Sequence, residues 1–289
     1  MDEVIVSMLN AYSCKTKQDY ENAFKEIIQE VALLGLWRSK FFEYAAFYGG
    51  TALRALYGLN RFSDDLDFSL LITNKTFDMA PHLTAIKDEL ESFGFEIKVE
   101  SKSKKVDSNV ESAFLKAGTK IQFLNLRVPT DIAKQVPHNE TLKIKFEVDT
   151  DPPSDFSVEM KNLMSPIPFQ VKTMTLDCLF AGKLHAVLAR KWKTRIKGRD
   201  FYDLLWYLGQ KVEPNLLHLK SRLVQSENWN VKDEFSKADL GRLLTKKIKE
   251  TNFLDAKNDV APFIKARELA SLDLWNKEYF LEVCSPLFG

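Results

Sequence analysis

Residues 47–71, FYGGTALRALYGLNRFSDDLDFSLL, constrain the chain more than any other stretch. A glycine pair is followed by a short helix-like segment and then by a strand whose opening positions are acidic. Strand side chains alternate between faces, so Asp65 and Asp67 share one face while Leu66 and Phe68 share the other. A half-buried strand ordinarily carries Ser, Thr or Lys at such positions. Two carboxylates held this close repel unless positive charge stands between them. A hard divalent cation supplies that charge and leaves coordination positions for phosphate oxygens. Gly49 and Gly50 let a backbone approach an anion closely, and a helix opening at Thr51 offers unpaired N–H groups to it. The stretch therefore predicts a triphosphate cradle beside its metal holder. Asp64 points away from the pair and is expected to cap the preceding turn.

The rest of the chain bounds what this site can belong to. Its 289 residues suffice for one large domain or two ordinary ones, and 45% hydrophobic with 28% charged residues is globular composition. A net charge of +1 means that any nucleic-acid site must come from a local basic patch. No apolar run is long enough for a bilayer span, and the acidic N-terminus is unlike a signal peptide. Cys14, Cys178 and Cys284 are far apart and lack metal-ligand spacing, which points to a reduced, cytoplasmic protein without a cysteine site.

Apolar positions from Tyr20 to Leu34 recur at helical spacing, and Gly35 is expected to end that helix. YAAFYGG is expected to be a short strand, residues 66–71 a strand, and residues 77–93 a helix. Between residues 94 and 149, FEIKVES, VESAFLKA, KIQFLNLRV and TLKIKFEVDT all carry strand-like alternation. Residues 151–168 form a loop rich in Pro, Ser and Asp, and FQVKTMT follows as a last strand. From residue 176 onward the patterns are helical. The expected architecture is α+β: an α/β domain with a mixed sheet over residues 1–175, then a helical bundle over residues 176–289.

The glycine pair, Thr51 and the Asp65-Leu66-Asp67 triplet together resemble the signature of polymerase-beta-like nucleotidyltransferases. The fuller wording GGTALRALYGLNRFSDDLDF resembles the AbiEii-type toxins of bacterial abortive-infection and type IV toxin–antitoxin systems. GKLHAVLARKWKTRIKGRDFYDLLWYL, residues 182–208, resembles a second block of that family. The resemblance implies a Mg²⁺-dependent enzyme, with Mn²⁺ as the alternative ion, that moves a nucleoside monophosphate from an NTP to an acceptor hydroxyl. Asp65 and Asp67 would bind the metal, while Gly49, Gly50, Thr51 and Arg54 would line the nucleotide.

The resemblance implies a third carboxylate on a later strand, which would help to hold the metal and accept the proton of the attacking hydroxyl. In TLKIKFEVDT, Glu147 and Asp149 lie on the polar face with Lys143 and Lys145. Glu147 is the first choice because it lies deeper in the strand, with Asp149 close behind; an exposed edge strand would show the same row. Lys183 borders an apolar stripe, where a lysine can simply snorkel. The resemblance assigns it instead to the triphosphate and places Arg199, Asp200 and Asp203 beside the nucleotide. Asp200 also suits a helix first turn on dipole grounds alone.

Residues 190–199, RKWKTRIKGR, are basic and include Trp192, a composition that suits a solvated loop or an RNA strand. The implied acceptor is RNA, with the 3′ end of tRNA foremost, and the implied cellular partner is a cognate antitoxin. Competing readings are a protein NMPylating enzyme, a nucleotide-binding module without chemistry, and a Mn²⁺-dependent glycosyltransferase. The last would need a larger nucleotide-sugar fold than the N-terminal domain offers.

Overall fold

The computed structural model describes residues 3–101, 109–125, 128–191 and 196–288. Helices α1 (Glu3–Asn10) and α2 (Lys17–Arg38) precede β1 (Ala45–Tyr48), α3 (Gly49–Tyr57) and β2 (Leu66–Leu70). Then come α4 (Ala80–Ser92), β3 (Ile97–Ser101), β4 (Val110–Gly118), α5 (Thr119–Asn125), α6 (Thr130–Lys134), β5 (Thr141–Asp149), β6 (Val158–Leu163) and β7 (Phe169–Met174). The remaining helices are α7 (Leu176–Ala189), α8 (Gly198–Gly209), α9 (Leu216–Gln225), α10 (Lys237–Glu250), α11 (Phe253–Val260) and α12 (Lys277–Val283). No helix among the described residues is long and apolar enough to cross a membrane.

The chain forms two compact units. The first comprises Met1–Leu56, Ser63–Pro152 and Met160–Thr173; the second comprises Tyr57–Phe62, Pro153–Glu159 and Met174–Gly289. The helical unit thus takes in two short segments from earlier in the chain, one of which carries Arg61.

The seven strands run in the order β3-β4-β5-β2-β1-β7-β6. Strand β2 pairs antiparallel with β1 and parallel with β5, and β3, β4 and β5 form an antiparallel run. Alternation turns Leu66, Phe68, Ala113, Leu115, Ile144, Phe146 and Val148 into the core. Phe68 is central: its ring lies 5.0 Å from those of Phe41, Phe47 and Phe146. The strand that presents Asp67 on one face is therefore anchored by an aromatic cluster on the other.

Helix α2 starts where Thr16 and Asp19 form a reciprocal capping box. It does not stop at Gly35 but continues to Arg38. Gly35 serves packing instead: an added Cβ would lie 2.9 Å from the Ala85 carbonyl oxygen and 3.0 Å from the Ile86 Cα of α4. A second correction concerns KIQFLNLRV, expected as a strand. Pairing of β4 with β5 ends at Gly118↔Thr141, and the chain turns into α5, which sets Phe123 against Phe24 and Tyr20 of α2. Leu126 and Arg127 of that segment lie outside the described residues. A third is β6, an edge strand within the expected loop over residues 151–168.

In the helical unit, α7 packs against α8, α9 and α10, and α8 against α11. Phe180 stacks on Tyr207 at 4.4 Å, and Phe201, Phe253 and Phe280 form a second aromatic group. Gly198 opens α8 so close to α11 that an added Cβ would sit 1.8 Å from the Ala256 carbonyl oxygen.

Candidate active site

Tyr48, the last residue of β1, pairs with Asp67, and the chain turns at Gly49 into α3. Gly49 has φ of +83°, a conformation costly for any residue with a Cβ. A Cβ there would also lie 2.6 Å from Asp67 Oδ2. The glycine is thus required twice, by its backbone and by the carboxylate beside it. The N-terminus of α3, where a helix leaves its first N–H groups without an intrahelical partner, begins beside the second acid of the Asp-x-Asp triplet.

The loop leading to β2 is held at successive residues. Gln29 Nε2 donates to the Ser63 carbonyl at 3.1 Å, and Lys25 pairs with Asp64 at 2.8 Å. The buried Thr51 donates its hydroxyl to the Asp65 carbonyl oxygen. That hydroxyl acts as a strut for Asp65, leaving the backbone N–H groups as what this turn can offer an anion. Arg54, expected at the nucleotide, grips Glu26 of α2 through two guanidinium nitrogens. Lys25, Gln29 and Glu26, all on α2, were not singled out in the sequence; their helical periodicity marked only the apolar stripe between them.

Register separates the two candidates for a third acid. Glu147 is the parallel partner of Asp67, whereas Asp149 is level with Ser69, beyond the acidic pair. Glu147 is held by Lys145 Nζ at 2.7 Å and by the Ser112 hydroxyl at 3.2 Å. Asp149 accepts the Asp151 N–H at 3.0 Å, as a turn-closing carboxylate does. Among the described residues no group of three or more His, Cys, Asp or Glu side chains is placed to hold a metal ion. A pair of carboxylates suits Mg²⁺, which binds through one or two carboxylates together with substrate phosphates and water.

The helical unit holds a second charged group. Lys183 Nζ lies 2.8 Å from Asp200 Oδ1 and 2.7 Å from Asp203 Oδ2. Arg61 binds Asp203 with both ends of its fork, Nε to Oδ1 at 2.5 Å and Nη2 to Oδ2 at 2.6 Å. Arg190 reaches Asp200 as well. Burial alone would raise both carboxyls, but Lys183 and Arg190 at Asp200, and Arg61 and Lys183 at Asp203, outweigh it and hold both below the ordinary range. Lys183 is therefore fixed by two carboxylates rather than snorkelling, and Asp200 does more than cap a helix. Arg199 lies over the Phe263 ring, 4.0 Å from its centroid. Arg61 escaped sequence reasoning because its partner is 142 residues away. Trp192, Lys193 and Arg195 lie outside the described residues.

A mixed sheet that carries a glycine turn, a helix and an Asp-x-Asp strand, followed by helices, defines the class: this is a nucleotidyltransferase of α+β fold. The chain belongs to the AbiEii family, whose profile, described as nucleotidyl transferase AbiEii toxin of type IV toxin–antitoxin systems, matches residues 31–282. Two solved structures share the fold. JHP933 from Helicobacter pylori superposes with a TM-score of 0.51 at 18% identity, covering 92% of this chain and 91% of its own. A candidate nucleotidyltransferase from H. pylori gives 0.51 at 18% identity, covering 90% and 92%. Comparison with curated proteins gives no significant match.

Proposed function

We propose that the chain is a Mg²⁺-dependent enzyme that transfers a nucleoside monophosphate from an NTP to the 3′-hydroxyl of an RNA, foremost a tRNA. The observation that carries this reading is the register of Asp67 against Glu147, with Gly49 and the start of α3 set against the Asp67 carboxylate. Asp65 and Asp67 would hold the metal together with substrate phosphates, with Mn²⁺ as an alternative ion and Glu147 as the acid level with Asp67. Bound there, the ion would offset phosphate charge and support departure of pyrophosphate. The N–H groups of Gly49, Gly50 and Thr51 bind triphosphate oxygens. The acceptor oxygen bonds to the α-phosphorus, the bond from that phosphorus to the β-bridging oxygen breaks, and pyrophosphate leaves. Glu147 takes the hydroxyl proton. For Lys183 we propose phosphate binding, with Asp200 and Asp203 orienting its ammonium group and Arg199 assisting at the nucleotide. A cognate antitoxin is the proposed cellular partner.

Incubation with each α-³²P-labelled NTP and total RNA tests the reading. Label is expected in a tRNA-sized, RNase-sensitive band, and Asp67→Asn is expected to abolish it while leaving the fold intact. Unimpaired transfer by that variant would sink the site assignment. The net charge of +1 favours a protein hydroxyl as the second reading, since it offers little long-range attraction to a polyanion. Label confined to protease-sensitive material would establish that reading and reject RNA.

A further inference from the structure

The sheet face turned away from α2 and α4 carries more than the acids. Its register aligns Asp67 with Glu147 and Ser112, then Lys145 with Phe114 and Glu100, then Lys143 with Lys116 and Lys98. The last row is unusual, because like charges directly opposite one another destabilise a sheet. A lysine on an edge strand guards against edge-to-edge pairing, which accounts for Lys98 on β3. It does not account for Lys116 and Lys143, which lie on the interior strands β4 and β5. Among the described residues Lys98 and Lys143 make no ion pair, and Lys116 pairs with Glu100, whose side chain is 53% exposed.

The geometry points to this lysine row as the track that receives the backbone phosphates of a single-stranded RNA, and it rests on the reading that the acceptor is RNA. At strand spacings of roughly 4.8 Å the row spans about 10 Å across the sheet. Along β5, Lys143 lies about 13 Å from the Asp67–Glu147 row, at roughly 3.3 Å per residue. That interval leaves room for a terminal nucleotide between the lysines and the acids. The lysines also border a surface cavity of about 830 Å³. Glu91, Glu96 and Glu100 line the same cavity, and Glu91 is itself paired with Lys87 at 3.6 Å.

Binding of a fluorescent single-stranded oligonucleotide matching a tRNA 3′ end, measured with the full chain and no NTP, tests the track. Each phosphate contact contributes about 0.7 to the log–log salt slope of a single strand. Removing three contacts in Lys98→Gln/Lys116→Gln/Lys143→Gln should flatten the slope by about 2, or about 20-fold between 50 and 200 mM salt. The corresponding Lys→Arg triple variant should keep the slope, as should Lys232→Gln/Lys246→Gln/Lys249→Gln, which removes equal charge elsewhere. The track is overturned if wild-type protein does not bind the oligonucleotide, if the Lys98/Lys116/Lys143→Gln variant keeps wild-type affinity and slope, or if the triple variant in the helical unit loses as much. It is also overturned if poly-glutamate binds as tightly as RNA. Loss of oligonucleotide binding in the Lys98/Lys116/Lys143→Gln variant, with label entering only protein, would leave the track standing and remove the acceptor reading instead.

Discussion

Removal of the Asp203 carboxylate should be among the most damaging single changes in the helical unit. Asp203 is 0% exposed and Arg61 3% exposed, and Lys183 shares the same carboxylate. In Asp203→Ala, Arg61 keeps its hydrogen bond to the Phe62 carbonyl at 2.9 Å but loses its counter-charge while buried. Breaking one side of a buried pair in this way costs about 3–5 kcal/mol. Arg61→Met should cost less, because Asp203 retains Lys183. The double variant should be more stable than the sum of the single losses predicts, with a coupling of about 2–3 kcal/mol. Part of the loss remains in the double variant because Lys183 then has Asp200 alone. Urea unfolding followed by tryptophan fluorescence, with hydrogen exchange of α7 and α8 as the local probe, measures both quantities. The pH dependence adds a sign. Both carboxyls are held below their ordinary value, so their stabilisation is complete above about pH 4 and is lost as pH falls through the lowered values. The cost of Asp203→Ala should shrink over that acidic range. A cost below about 1 kcal/mol at pH 7, or additive single losses, would refute the picture of one charge network.

Gly49→Ala should lose about 1–2 kcal/mol to backbone strain; transfer should fall further than that loss explains, because the new Cβ displaces the Asp67 carboxylate, and full activity at saturating NTP would contradict the close approach. Glu147→Gln should reduce transfer by about 10²-fold or more, whereas Asp149→Asn should chiefly loosen the turn at Asp151; the reverse order in single-turnover assays would move the third acid to Asp149. His218 is neutral, its Nδ1–H donating to the Ser154 carbonyl at 2.8 Å and its Nε2 accepting from Arg222 Nε at 2.9 Å, and burial pushes its pKa down to about 4. The helical unit should therefore lose stability as pH falls from about 6.5 towards 4, and His218→Gln should flatten that dependence; an unchanged slope would assign it elsewhere.

What the sequence disclosed and what it concealed differ in range. The β1–α3–β2 unit was legible because its rules are local: a glycine pair before a helix, and acids alternating with Leu66 and Phe68 on a strand. Gly35 was misjudged because a glycine that ends a helix and one that lets α4 approach look alike until the second helix is in place. The α5 segment alternates like a strand, but sheet pairing ends at Gly118, and contacts with α2 decide its form. Strand β6 was hidden by the Pro, Ser and Asp residues around it.

The undecided part of the site had a single cause, which was register. The row Lys143, Lys145, Glu147 and Asp149 fits a catalytic strand and an exposed edge equally well while its neighbours are unknown. Pairing with β2 sets Glu147 against Asp67, and pairing with β4 sets Lys143 against Lys116. The same step thus separates Glu147 from Asp149 and assembles the lysine row. Lys98, Lys116 and Lys143 stand alone in sequence, each an ordinary polar residue on an alternating strand. A shift of one residue in the β4–β5 pairing would turn Lys116 towards the core and Leu115 outward. Burial of Leu115 and Ile144 on the other face excludes that shift, so the hydrophobic pattern of one face fixes the charge pattern of the other.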